Sequence, residues 1–275
     1  MQWREMNEMI SLEGKTAVIT NALTRGEIGY ETAIALGARA ANLVLVYDSS
    51  ASCDLDLVEE IVAQTGSTVC AVEVESGNRE SFDAAAKKAE ERFGRIDILI
   101  NTTPYIHVPA MLTETSETDW QDAYERNYMD FTAMCCAAIP YIQKTDGGAI
   151  VNQITTKCLD AVPGYAIDGI AEAFMLGMSR TLATEHGADQ IRVNAVLTGA
   201  VDTPMLRREI ANAAKANGRA EKEILDSLIA DCAMCRLGQP AEVAETIAFL
   251  VSEAAAYVNG ITLRVDGGLM SAALR

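Results

Sequence analysis

Short runs of consecutive apolar residues alternate along the chain with longer stretches in which apolar positions recur every three or four residues. TAVIT (16–20), NLVLVYD (42–48), TVCAVEV (68–74), DILIN (97–101), AIVNQIT (149–155), RVNAVL (192–197) and ITLRVD (261–266) each read as a strand. Unbroken apolar runs of this length, rich in Val and Ile, suit strands buried on both faces. Between them, ESFDAAAKKAEERF (80–93) and PAEVAETIAFLVSE (240–253) carry the helical period, the second with Pro in its first turn, where a missing N–H costs nothing. Helices are also expected from Ile28 onward and over 117–142 and 164–185. Strand–helix alternation from end to end predicts right-handed crossovers and a Rossmann-type α/β fold. That is a doubly wound parallel sheet of about seven strands flanked by helices. No linker, repeat or low-complexity tract divides the chain, so one domain over 1–275 is expected. In such sheets ligands sit beyond the carboxyl ends of the strands.

Hydrophobic residues make up 49% of the chain but aromatics only 5%, so the core has to be Ala, Val, Ile, Leu and Met. The formal net charge of −17 repels nucleic acid and anionic membranes alike. A small molecule is the expected partner. No apolar run reaches the length of about 18 residues that a bilayer needs. The opening MQWREMNEMI is charged throughout, without the apolar centre of a signal peptide. A cytoplasmic location is expected. The seven cysteines form no disulfide framework, which fits a reducing compartment. Cys232 and Cys235 make a lone C-x-x-C pair with no second pair or His beside it, so packing is the reading and no metal is expected.

The segments AVIT-NALTRGEIG-YETA, DILIN, GGAIVNQIT, RVNAVLTGAVDTPM and RLGQPAEVAETIAFLVSEAAAYVNGITLRVDGG stand in an order and spacing that resemble the short-chain dehydrogenase/reductase family. The resemblance covers nearly the whole chain and is most specific in the carboxyl-terminal block. It implies a nicotinamide dinucleotide, held by a tight turn between Thr20 and Ile28 that offers backbone N–H groups to a pyrophosphate at a helix N-terminus. The family's first Gly is Asn21 here, and Gly26 and Gly29 are two residues apart, a longer loop similar in spacing to the enoyl-acyl-carrier reductases. Asn tolerates a positive φ better than other non-glycine residues. Asp48 ends the second strand, where a carboxylate accepts both ribose hydroxyls and repels a 2′-phosphate, so NAD(H) is expected over NADP(H). The resemblance further places Glu73 and Val74 at the adenine and Asn101 and Thr102 at the end of the fourth strand. Thr103 and Pro104 follow them, below the nicotinamide ribose. It also places Gly199 and Thr203 at the carboxamide.

At the catalytic centre the pattern breaks. The family uses Asn, Ser, Tyr and Lys. Asn127 matches the Asn and Thr155 falls at the Ser, while Asp168 stands at the Tyr and Glu172 at the Lys. Tyr165 lies seven residues before Glu172, the Tyr-to-Lys spacing of the enoyl-reductase branch. Tyr165, Asp168 and Glu172 share one helix face. Paired carboxylates in a half-buried site cannot both ionise cheaply, so one is expected to hold a proton near neutrality. Glu172 could also accept ribose hydroxyls.

Three readings follow: a hydride-transfer enzyme with altered acid/base groups, reducing a carbonyl or activated alkene; a non-redox isomerase, cyclase or dehydratase; and an inactive dinucleotide-binding protein. His107 sits near the mouth of the site, and His186 ends the long helix, where a cation suits the dipole. The stretch 203–236 is expected to form a helical lid, whose Met205, Leu206, Ile210, Leu225, Leu228, Ile229 and Met234 suit an apolar ligand. Family members pair through their long helices, so a homodimer or homotetramer is expected.

Overall fold

A computed structural model of the chain describes residues 8–48, 53–102, 110–160 and 162–269. Seven parallel strands form one sheet in the order β3-β2-β1-β4-β5-β6-β7. They are β1 (Thr16–Thr20), β2 (Asn42–Asp48), β3 (Val69–Val74), β4 (Ile98–Thr102), β5 (Gly148–Thr155), β6 (Ile191–Thr198) and β7 (Thr262–Val265). Each predicted strand is present, and every boundary falls within two residues of its expected place.

Alternation within the strands sorts the core into two layers. Leu43 and Leu45 of β2 point to one face, with α1 (Ile28–Gly37), α2 (Asp56–Thr65) and α9 (Pro240–Val251). Val44 and Val46 point to the other, with α3 (Arg79–Phe93), α5 (Asp130–Ile142) and α6 (Ala166–Glu185). The period of two that alternates side chains is what permits a helix layer on each side. Two further helices, α7 (Pro204–Asn217) and α8 (Glu221–Ala230), follow β6.

The stretch read as one helix over 117–142 is α4 (Glu117–Ala123), a wide π turn over Tyr124–Met129, and α5. Hydrophobic periodicity alone does not register one extra residue in a turn. A buried polar chain ties β4, β5 and α6 together: Asn101 Nδ2 donates to Asn152 Oδ1 at 2.9 Å, and Asn152 Nδ2 to Ser179 Oγ at 2.8 Å. Asn101 and Asn152 are register partners, so the contact fixes where the two strands meet. The strand order reverses between β1 and β4, and there the carboxyl ends open into a cleft. No helix among the described residues is long and apolar enough to cross a membrane.

Candidate active site

The turn after β1 is held by side chains of β1 and β4. Thr102 N donates to Thr20 Oγ1 at 3.0 Å, and Thr102 Oγ1 to Thr20 O at 2.7 Å. Asn21 takes φ +55°, the left-handed conformation expected of it, while its amide donates to Val46 O and its Nδ2 to Thr102 O, both at 3.0 Å. Gly26 also has a positive φ, +76°. Gly29 packs so closely that a Cβ there would lie 2.6 Å from Asn21 O. The helix α1 starts at Ile28 with Glu27 as its N-cap residue, and Glu27 Oε1 accepts Met205 N of α7 at 2.7 Å. Burial raises the Glu27 pKa, against the Met205 hydrogen bond and the charge of Arg208.

A cavity of about 900 Å³ lies over these strand ends. Asn21, Ile28, Gly29, Asp48, Thr102, Gly199 and Thr203 line it, so the turn, the end of β2 and the start of α7 face one space. Thr203 caps α7, its Oγ1 accepting Leu206 N at 3.1 Å. Both helices after β6 contribute apolar walls, among them Leu206 and Ile210 of α7 and Leu228 of α8. A side chamber of about 60 Å³ shares Asn21, Asp48 and Thr102 with the cavity and adds Thr20, Val74, Asn101 and Arg126. Glu73, by contrast, is exposed and lines neither space.

At the other end, β5 finishes at Thr155, which caps a 3-10 turn by accepting Lys157 N at 3.2 Å. Its hydroxyl donates to Glu172 Oε2 at 2.6 Å. Glu172 and Asp168 are buried, 2% and 4% exposed, and stand behind the cavity wall, whereas Thr155 and Tyr165 form part of it. Burial pushes the Glu172 carboxyl up to about 7; Thr155 and the charge of Lys157 pull it down, and Asp168 raises it further. Tyr165 is the N-cap residue of α6, and burial, with Glu209 and Asp168 adding to it, raises its hydroxyl above the ordinary phenol range. The Lys157 ammonium sits 4.1 Å from the centre of the Tyr165 ring and 3.1 Å from Glu209 Oε1. Asn127 lies in the π turn, buried, with no hydrogen-bond partner for its Oδ1.

A sequence profile described as enoyl-(acyl carrier protein) reductase matches residues 22–270. The chain belongs to the short-chain dehydrogenase/reductase superfamily. It is 32% identical over 264 residues to a 3-oxoacyl-[acyl-carrier-protein] reductase of Synechocystis sp., covering 95% of this chain and 99% of that one. Oxidoreductase UcpA of Escherichia coli is 31% identical over 261 residues, 94% of this chain and 96% of its own. Among solved structures, L-sorbose reductase from Gluconobacter frateurii, crystallised with NADPH and L-sorbose, superposes with a TM-score of 0.85 at 29% identity. That superposition covers 95% of this chain and 98% of the other.

In this short-chain dehydrogenase/reductase the structure adds residues that motif reading passed over. Lys157 and Glu209 come from two elements far apart in sequence and meet at the cavity wall. Arg126 reaches Asp48 across 78 positions, Nη1 to Oδ2, at 3.4 Å. Glu27, the N-cap residue of α1, holds the start of α7 across 178 positions. Thr103, Pro104 and His107 lie outside the described residues. His186 caps the end of α6 and pairs with Asp189 at 3.1 Å, away from the cavity. Cys232 is buried and Cys235 exposed, and among the described residues no cluster of His, Cys, Asp or Glu is placed to hold a metal.

Proposed function

We propose that the chain is an NAD(H)-dependent oxidoreductase reducing a carbonyl or activated alkene of a small apolar substrate, with Glu172 supplying the proton through Thr155. The observation that carries this is the 2.6 Å contact between Thr155 Oγ1 and Glu172 Oε2, with the carboxyl held near pH 7. In this reading Asp168 and Glu172 stand where other family members have Tyr and Lys.

The residues present fit a dinucleotide. The glycine approach at Gly29 leaves no room for a side chain, and Asn21 keeps the turn in its left-handed form. Thr20, Gly26 and Ile28 complete that turn. Asp48 faces the cavity from the end of β2, placed to accept ribose hydroxyls, which supports NAD(H) over NADP(H). Val74 and Asn101 line the chamber that would take the adenine, and Asn101 Oδ1 lacks a partner there. Gly199 and Thr203 would hold the carboxamide. When bound, the reduced nicotinamide supplies a hydride.

The protein's own part is the proton. Protonated Glu172 donates to Thr155 Oγ1, freeing the Thr155 hydroxyl hydrogen to point into the cavity at the substrate's carbonyl oxygen or at the basic carbon of a reduced alkene. Once the proton has left, a buried carboxylate remains. Its desolvation drives re-protonation, which a water reaching Thr155 from the cavity can supply. Tyr165, with its hydroxyl pKa raised, stays protonated and acts as a hydrogen-bond donor rather than a base. Asn127, buried in the π turn with an unpartnered Oδ1, would accept a hydrogen bond from a bound water. Helices α7 and α8, within 203–236, form the lid of this one domain. The exposed Tyr124, Met129 and Ile170 on the long helices support pairing into a homodimer or homotetramer, to be checked by light scattering. A cytoplasmic setting accords with the free cysteines.

The test mixes the protein with NADH and a panel of apolar ketones and enones while following nicotinamide absorbance. Substrate-dependent oxidation that slows as pH rises through about 7 is expected. Turnover without an absorbance change would replace this reading with a non-redox one.

A further inference from the structure

We infer that the Lys157–Glu209 pair is the receptor for a hydroxyl group next to the reacting carbon, so that the preferred substrate is an uncharged hydroxyketone with an apolar tail. The inference rests on the proposed reading of this cavity as the substrate site, and gives that substrate one polar group. Lys157 belongs to the 3-10 turn Thr156–Cys158 after β5 and Glu209 to α7, and Lys157 Nζ lies 3.1 Å from Glu209 Oε1. Both line the main cavity together with Thr155 and Tyr165. Lys157 N donates to Thr155 Oγ1 at 3.2 Å, so the turn that carries the ammonium is fastened to the hydroxyl proposed to deliver the proton.

The pair is neutral as a whole but not saturated. An ammonium has three N–H donors, and a carboxylate has two acceptor oxygens. Lys157 directs one donor to Glu209 Oε1 and turns its charge to the face of the Tyr165 ring, 4.1 Å from the ring centre. Among the described residues no group takes a further Lys157 donor or Glu209 Oε2. The two side chains are only 17% and 16% exposed, so these open positions face the cavity rather than bulk water. A hydroxyl answers both at once: its oxygen accepts from Lys157 and its hydrogen goes to Glu209 Oε2. A second carbonyl would use the donor alone. A carboxylate would meet the charge of Glu209 in a cavity that five carboxylates and two cations line among the described residues. The second cation, Arg208, acts on Glu27 at the cofactor end. Leu206, Ile210 and Leu228 receive the apolar remainder of the molecule.

The experiment compares acetophenone, α-hydroxyacetophenone and phenylglyoxylate, which share a ring and a ketone and differ in the neighbouring group. Kinetics with NADH are run beside dissociation constants from ligand-observed NMR on the protein without cofactor. The proteins are the unmodified chain, Glu209→Gln, and a double variant of Lys157→Met with Glu209→Met, whose apolar pair leaves no uncompensated charge to unfold it. The unmodified chain should bind α-hydroxyacetophenone about tenfold more tightly than acetophenone. The double variant should lose that preference, and its kcat/KM ratio for the two ketones should fall by about tenfold. Their intrinsic reactivities cancel between proteins, as does any effect of the Lys157 charge on Glu172. Glu209→Gln, which leaves the ammonium unpaired, should raise kcat/KM for phenylglyoxylate by about tenfold. A preference unchanged in the double variant would reduce the pair to a tie between lid and turn, overturning the inference and leaving the proposed function standing. Phenylglyoxylate as the tightest ligand of the unmodified chain, or no binding of any of the three, would overturn the inference as well. A hydroxyl preference that the double variant loses, without NADH oxidation by any ketone, would uphold the inference and overturn the proposed function.

Discussion

At the β1–α1 end of the cavity, Asn21 and Gly29 act through the shape of the backbone. The contacts are an amide on Val46 O, a side-chain amide on Thr102 O and a glycine pressed against Asn21 O. At the β5–α6 end, Thr155 and Glu172 act through charge held out of water, with a carboxyl pushed up to about 7 by its burial. Both ends lie at the carboxyl edge of the same sheet, yet one is sensitive to volume and φ, the other to proton affinity. The difference separates two things a shared fold supplies: a rigid frame, and a place where chemistry can be rewritten without moving that frame.

The largest effect at the β5–α6 end is expected from Glu172→Gln. It keeps the size and a hydrogen bond to Thr155 but cannot give up a proton. Turnover should fall about 100- to 1,000-fold, the range of a lost general acid, while NADH affinity stays within about threefold. Steady-state kinetics beside a binding titration would check it, and equal losses in both would place Glu172 on the cofactor instead.

The same carboxyl should be felt in stability. Its folded pKa lies above the ordinary 4.5, so its contribution is fully present below pH 4.5 and is lost as pH rises through about 7. Glu172→Gln removes that loss. Against the unmodified chain, the variant should gain up to about 3 kcal/mol between pH 4 and pH 8, read from denaturant curves at both values.

At the other end the effects should be steric and nearly independent of pH. Gly29→Ala puts a Cβ 2.6 Å from Asn21 O, a backbone atom that cannot swing aside as a flexible side chain can. A cost of about 1–3 kcal/mol and weaker NADH binding are expected, measured by thermal melting and titration. A smaller loss, about 1 kcal/mol, should follow Asn21→Ala, which gives up the hydrogen bond to Thr102 O and strains the +55° φ. Asn21→Gly should lie closer to the unmodified chain. A pH-dependent loss at either position would erase the distinction between the two ends.

The sheet was legible because its signal is local. Leu43, Val44, Leu45 and Val46 are apolar at successive positions in a short, Val-rich run, as a strand buried on both faces requires. The turn at Asn21 was legible for a similar reason, since the residue type carries the backbone preference. Placement across the sheet was not. Nothing in the spacing of Thr155, Asp168 and Glu172 says that Thr155 faces the cavity while both acids stand behind it. Lys157 meets Glu209, and Arg126 meets Asp48, through tertiary contact that no periodicity encodes. Glu73 and Val74 are neighbours in a strand, so only one can face the chamber, and the structure gives that side to Val74.

The π turn at Tyr124–Met129 makes this part of the chain countable to the single residue. A π turn is an α-helix carrying one residue too many. Deleting Tyr128 or Met129 would let the helix close up and would swing everything before the cut by about 100° relative to α5. Arg126 would then leave the chamber and Asn127 its buried place, while the core beneath α5 kept its packing. Substitutions along this helix can therefore drift as far as side-chain packing allows. Single-residue deletions cannot, and a library of one-codon deletions across 117–142 should show a gap in surviving activity centred on 124–129 without a matching gap in folded protein.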